Sequence, residues 1–280
     1  MGQLDCLCSP EPLKAYRRPA LVVGHPGHEL RVFGWAAERK PRVYVLTDGS
    51  GRGGSSRLPS TARLLSRIGA EAGEVFGALS DAGVYRALLE RTASPFLTIL
   101  NTLTRSFLEN EVDFVAGDAR EGFNPTHDLC RTMVNSAVAI AQRETGRTLP
   151  NYEVCLTEWE HGFEQRHDGR CLHYRLDDSL LGRKLEAAQG YTELRDEVER
   201  ALATQGKGYF QVECLRRLDV PHSEPEPSEK PYYETWGEQR VAEGGYRSAI
   251  RYRGHVLPIV DAIRRFARGS RNTSTDSSRA

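Results

Sequence analysis

The sequence predicts an α/β fold: an open, mostly parallel sheet covered by helices on both faces. Three observations predict it. Short apolar runs recur at Leu21 to Val23, Arg42 to Leu46 and Asp113 to Gly117. Each run ends in a glycine-rich or polar loop, and helical spacing of apolar residues follows each loop. Sheets of this kind place ligands at the carboxyl ends of their strands, so function is sought in those loops.

The first run, Leu21-Val22-Val23, ends at Gly24-His25-Pro26-Gly27-His28. Glu29 to Lys40 then has the helix formers and spaced apolar residues of a helix, which Pro41 stops. Arg42 to Leu46 is a β-branched and aromatic strand followed by a long flexible loop from Thr47 to Gly54. Ser60 is placed as the cap of a helix carrying Leu64, Leu65 and Ile68, with Gly69 at its C-terminal end. Ala82 to Arg91 reads as a helix, and Pro95 opens a longer one over Phe96 to Glu109. Asp113 to Gly117 is a buried strand, Asp118 to His127 a polar loop, and Leu129 to Ile140 keeps a helical period up to Gly146. Further strands are expected at Tyr152 to Leu156, Cys171 to Leu176 and Tyr209 to Leu215, with helices at Ser179 to Ala188 and Glu193 to Thr204.

The expected organisation is an N-terminal extension over 1–17, one α/β domain over 18–219, a C-terminal extension over 220–268 that packs on it, and a disordered tail over 269–280. The proline-rich strip Val220 to Pro231 reads as a linker or surface strap. Val256 to Ala267 is helical, and the tail is nearly devoid of apolar residues.

Lys plus Arg and Asp plus Glu number 38 each in 280 residues. That balance excludes a global field toward nucleic acid or an anionic membrane, and points to a small-molecule partner. No apolar run approaches the roughly 18 to 20 residues that span a bilayer. The first residues lack the apolar segment of a secretory signal, so a cytoplasmic location is expected. The six cysteines are read as reduced structural thiols. Oligomeric state is not legible.

Chemistry concentrates in two of the loops. His25-x-x-His28 leaves a buried strand directly, and His127 ends a second strand-to-helix loop. Three imidazole nitrogens aimed at one point would leave a fourth position open, as a hydrolytic zinc site requires. An HxxH pair alone is a weak signal, and a histidine before a helix is often only a cap. What raises the reading is that both loops leave strand ends. The Gly49 to Gly54 loop lacks the Gly-Lys-Ser/Thr ending of a phosphate loop, and no Gly-x-Ser-x-Gly elbow occurs. His161, His167 and His173 read as surface residues. Tyr232, Tyr233 and Trp236 read as core packing of the tail, with stacking on a sugar face as the alternative.

Val22-Val23-Gly24-His25-Pro26-Gly27-His28-Glu29 resembles the first motif of the PIG-L/LmbE-like N-deacetylases, a buried strand followed by His-Pro-Asp-Asp-Glu. Asn124-Pro125-Thr126-His127 resembles that family's later His-Pro-Asp-His. Leu46-Thr47-Asp48-Gly49, Arg57, Ile68-Gly69 and the Glu213 strand agree in order, so the resemblance spans roughly residues 18 to 218. It implies a Rossmann-like fold, one zinc ion, and hydrolysis of an N-acyl group, typically N-acetyl, from an amino sugar or similar amine. His25 and His127 match its ligand positions, and His28 replaces an aspartate ligand. Gly27 stands where the family has its general base, Asn124 where a histidine supports the oxyanion, and Thr126 where an aspartate orients that histidine.

Three neutral imidazoles would leave the metal its full double charge and acidify its bound water. A displaced carboxylate could still move the proton: Glu29, Asp48, Asp118, Glu121 and Asp128 lie on or beside these loops. Glu121, between Asp118 and His127, is the expected base, with Asn124 as oxyanion donor and Asp48 completing the set. The plainer readings are that Glu29 and Asp128 complement helix dipoles and that Asp48 braces a turn. The expectation is a zinc amidohydrolase. Its rivals are a binding or regulatory protein that keeps the metal, and a three-histidine site holding iron for other chemistry.

Overall fold

The computed structural model describes residues 15–51, 53–154, 171–218 and 229–269. The first βα unit runs from β1 (Pro19–Val23) through a 3-10 turn (His28–Val32) into α1 (Phe33–Arg39). The expected helix from Glu29 is thus split. Gly27 enters at φ 106°, in left-handed conformation, and Val32 is non-helical, so regular α structure starts only at Phe33.

Then follow β2 (Arg42–Thr47), α2 (Leu58–Ile68), β3 (Glu71–Leu79), α3 (Asp81–Leu89), α4 (Ser94–Glu109), β4 (Phe114–Asp118) and α5 (Pro125–Thr145). The chain continues through β5 (Asn151–Val154), β6 (Cys171–Arg175), α6 (Asp178–Gln189), α7 (Arg195–Gln205), β7 (Val212–Arg217), α8 (Tyr232–Ala242) and α9 (Leu257–Gly269). Ser60 does not cap α2: the helix begins two residues earlier, and the Ser60 hydroxyl donates to Glu193 at 2.9 Å. Gly69 closes it at φ 71° as expected. Tyr209 lies in a 3-10 turn (Lys207–Phe210), so the expected strand starts only at Val212. Residues 155–156, His161, His167, Cys6 and Cys8, the 219–228 strip and the 270–280 tail lie outside the described residues.

The seven strands are ordered β3-β2-β1-β4-β5-β7-β6. The first five in that order pair parallel, while β7 runs antiparallel to β5 and to β6. Strand order reverses between β1 and β4. This is the switch point, where adjacent connections leave on opposite faces and open a crevice at the strand ends.

Successive side chains of a strand face opposite ways, and β1 separates the cores accordingly. Ala20 and Val22 join α4, α5 and α9 through Leu100, Leu103, Val134 and Ile259. Leu21 and Val23 join α1, α2 and α6 through Trp35, Leu64 and Ala187. Burial of each large apolar side chain contributes roughly 1.5–3 kcal/mol, which fixes β1 firmly between two helical layers. Ile250, Tyr252, Val256 and Ile263 from the C-terminal segment belong to the first of these cores.

Glu71–Leu79 is a strand that the sequence did not announce. It is one edge of the sheet, with Glu71, Glu74 and Gly77 interrupting any apolar run, and within it only Val75 is buried. Cys130 is buried, with its thiol directed at the Val22 carbonyl. Among the described residues no helix is long and apolar enough to cross a membrane.

Candidate functional site

The strand ends at the switch point are tied by one carboxylate. Asp118, the last residue of β4, accepts the Gly24 N–H at 2.7 Å and His28 Nδ1 at 2.8 Å, both on Oδ2. A Cβ at Gly24 would stand 3.1 Å from the same oxygen, so a larger residue would press on Asp118. On the other side, Thr47 at the end of β2 donates both its backbone N–H and its hydroxyl to the Gly24 carbonyl, each at 3.0 Å.

These bonds decide the His25 tautomer. His25 Nδ1 lies 2.8 Å from Thr47 Oγ1 and 3.1 Å from Asp81 Oδ1. An ionised Asp81 carboxylate can only accept, and the Thr47 hydroxyl can accept from the same nitrogen. Nδ1 therefore carries the hydrogen and Nε2 is a bare lone pair. That Nε2 is buried and has no hydrogen-bond partner. At His28, Nδ1 is likewise directed at a carboxylate oxygen, Asp118 Oδ2.

His127 enters from the first turn of α5, which Asn124 caps by accepting the Thr126 N–H at 2.9 Å. Its Nδ1 is likewise buried without a partner. The three rings meet edge to face, with centroids 5.3 Å apart for His25–His28, 5.1 Å for His25–His127 and 4.7 Å for His28–His127. The structure thus brings His25, His28 and His127 to one point. As the side chains stand, no group of three or more His, Cys, Asp or Glu among the described residues is placed to hold a metal ion. What converges is the rings, with two unsatisfied nitrogens among them.

Burial holds His25 below the ordinary imidazole value, although the Asp81 hydrogen bond opposes it. Burial, aided by the charge of His28, holds His127 further below. Asp118 and Asp81 show the reverse balance. Burial works to raise both, yet the charge and hydrogen bond of His28 outweigh it at Asp118, and those of His25 at Asp81. Burial thus favours the neutral form of His25 and His127, and their surroundings the ionised form of Asp81 and Asp118.

The other predicted residues lie on or beside these loops. Asp48 Oδ1 accepts from Ser50 N–H at 3.0 Å and from Asp81 N–H at 3.3 Å, bracing the turn that presents Asp81. Glu121 sits half-buried in the β4–α5 loop, and its N–H donates to Asp128 Oδ1 at 3.3 Å. Asp128 also accepts the Gly122 N–H at 3.1 Å, so it shapes the loop as well as facing the helix end. Glu29 is no surface dipole partner. It is fully buried, receives the Tyr191 hydroxyl and accepts the Gly27 N–H at 2.8 Å.

Sequence reasoning missed Asp81 and Thr47, the partners of His25. Asp81 opens α3 directly after the unannounced strand β3, beside the Ser80 cap that accepts the Gly83 N–H. A Ser-Asp pair before a helix was the available signal.

No family model matches the chain, and no curated protein matches its sequence. Its fold is similar to solved structures. The zinc-inhibited form of teicoplanin deacetylase Orf2 superposes with a TM-score of 0.51 at 13% identity, over 72% of this chain and 99% of that one. The deacetylase Dbv21, which acts on an antimicrobial pseudoaglycone, gives 0.46 at 18% identity over 75% of this chain and 100% of that one. A conserved protein from Thermus thermophilus gives 0.46 at 15% identity over 75% and 98%. At these identities the likeness is one of fold.

Proposed function

We propose that this chain is a zinc-dependent hydrolase that removes an N-acyl group, in the first instance acetyl, from an amino sugar or related small amine. One observation carries the reading: three imidazoles meet at the switch point, with Nδ1 of His25 and of His28 against carboxylate oxygens and with buried nitrogens of His25 and His127 left without a partner. Metal-binding histidines are typically oriented in this way, by a carboxylate on the far nitrogen. Rings sharing a tetrahedral ion at the usual 2.0–2.1 Å bond length have centroids about 5 Å apart, close to the spacing found. The buried, partnerless nitrogens of His25 and His127 fit that group, since leaving them unsatisfied otherwise costs roughly 1–3 kcal/mol each. The protein of similar fold named Orf2 was solved in a zinc-inhibited form, so a scaffold of this fold can take up zinc.

A zinc ion held there would polarise an acyl carbonyl and acidify a water. The chain's own groups supply the rest. Asn124, its carbonyl engaged by Thr126, has its NH2 to donate toward a developing oxyanion. Glu121 carries the proton to the departing amine from the loop beside His127, and Asp48 keeps Asp81 against His25.

Gly27 favours a second reading, in which the scaffold binds its ligand without turning it over. A side chain there would meet Leu194 at 2.5 Å, so the family's base position is filled by other residues. Metal analysis of the purified protein together with acetate release from N-acetylglucosamine and its oligomers separates the two. Stoichiometric zinc and acetate release, both lost in His127→Ala, support the hydrolase. Zinc without acetate release on any amide tried selects the binding protein, and no zinc at all refutes both.

A further inference from the structure

Of the large hydrophobic side chains left exposed, Phe123, Tyr232 and Trp236 form one stack. Phe123 and Tyr232 are parallel to within 2° with centroids 5.0 Å apart, and Tyr232 and Trp236 lie at 15° and 6.2 Å. Arg240 covers the far side of the ladder, 5.9 Å from the Trp236 centroid. Tyr232, Trp236 and Arg240 are spaced one helical turn apart on α8, so the ladder follows a rigid edge. The helix sorts its aromatics sharply. Tyr233 is buried in the core at 7% exposure, whereas Tyr232 stays 51%, Trp236 39% and Phe123 48% exposed.

The ladder is anchored to the candidate site. Phe123 belongs to the β4–α5 loop, four residues before His127. Its neighbour Gly122, at φ 67°, accepts the Tyr233 N–H at 3.3 Å, and a Cβ there would lie 3.4 Å from Pro231. Four residues span at most about 14 Å even when fully extended, so Phe123 lies within a few sugar units of His127.

Tyr232 lies between Phe123 and Trp236, and Arg240 closes the Trp236 end, so the ladder presents the outer face of Phe123 and its exposed ring edges to solvent. Here that surface is bordered by charged pairs, Lys230–Glu238 at 2.8 Å and Arg240–Glu243. An aliphatic ligand would desolvate those charged groups without offering them a hydrogen bond. A sugar ring matches both, because its C–H face stacks on an aromatic ring while its hydroxyls reach polar neighbours.

We propose that Phe123, Tyr232 and Trp236 form a saccharide-stacking subsite, which holds the part of an extended glycoside that lies beyond the acylated sugar. The inference rests on the hydrolase reading above, and narrows the substrate from a free amino sugar to an oligosaccharide or glycoside. The test titrates the zinc-loaded protein with N-acetylglucosamine and with N,N′,N″-triacetylchitotriose, following tryptophan fluorescence within seconds of mixing. Acetate release is followed separately. The trisaccharide is expected to bind about tenfold more tightly, and Phe123→Ala and Tyr232→Ala each to narrow that ratio about two- to tenfold, the range of aromatic contacts. Phe123→Tyr and Tyr232→Phe, which keep the rings, should restore it. Equal affinities, no binding of either sugar, or a ratio that both alanine variants leave unchanged would overturn the subsite. Ladder-dependent binding without acetate release would instead refute the hydrolase and leave the subsite standing.

Discussion

His28 donates its Nδ1–H to Asp118 Oδ2 at 2.8 Å, and the carboxylate that holds it is wholly buried. This bond makes Nε2 the nitrogen available to a metal. Asp118→Asn would present an NH2 or a weaker acceptor to the ring, freeing it to adopt the other tautomer. Zinc affinity, measured by competition with a chelator, is expected to fall about 10- to 100-fold. An unchanged affinity would remove His28 from the ligand set.

Gly27 fits its place only as glycine. Its φ is 106°, and an added Cβ would stand 2.5 Å from Leu194 Cδ1. Gly27→Ala should cost about 1–3 kcal/mol of stability by urea unfolding, from strain and overpacking together. Gly27→Asp should be at least as costly and should not raise acetate release, since its carboxylate would be driven into Leu194. Leu194→Ala in the Gly27→Ala background should recover part of the loss. Strict additivity of the two changes would show that the contact is not the cause.

The sheet centre and the histidines were legible because their signals are local. β1 and β4 are unbroken apolar runs, and Gly24 and Asn124 mark where each chain turns. β3 was not legible, because an edge strand half in water needs no apolar run, and Asp81 was lost with it. The closing of the Gly27 position by Leu194 and Tyr191 was hidden for another reason. Those residues lie more than 160 positions away, and only packing of the segment before α7 against the first loop brings them there. The aromatic content of the C-terminal segment suggests core positions for Tyr232 and Trp236, whereas only Tyr233 is buried.

The buried imidazoles give the metal-free protein a defined pH response. Burial lowers His25 and His127 from the ordinary value of 6.5, while the unfolded chain titrates near that value. Below 6.5 the unfolded state therefore binds more protons than the folded one, and stability falls as pH falls through the depressed folded values. Above 6.5 these groups contribute their full share. Unfolding midpoints in urea should drop between pH 7.5 and 5.5, by at most about 1.4 kcal/mol per pH unit per group. His127→Asn should flatten the slope. Asp81 and Asp118, also depressed, act only in a lower window near and below the ordinary carboxylate range. An equal slope in wild type and His127→Asn would contradict the assignment.

Glu213 on β7 performs a structural task that its burial makes costly to disturb. Its Oε1 accepts the Gly34 N–H at 2.9 Å and its Oε2 the Trp35 N–H at 3.0 Å, satisfying amides at the start of α1 that have no partner within the helix. Lys184 from α6 lies 2.9 Å from Oε1, and the two side chains are only 6% and 1% exposed. Lys184→Met would leave the carboxylate buried without its counter-charge, so a loss of about 3–5 kcal/mol is expected in urea unfolding. Adding Glu213→Gln removes that charge while keeping an acceptor for one of the amides, and should return part of the lost stability. The double variant is thus expected to be more stable than Lys184→Met alone. If it is instead less stable, the hydrogen bonds to α1 outweigh the charge pair, and Glu213 acts chiefly as the helix's cap.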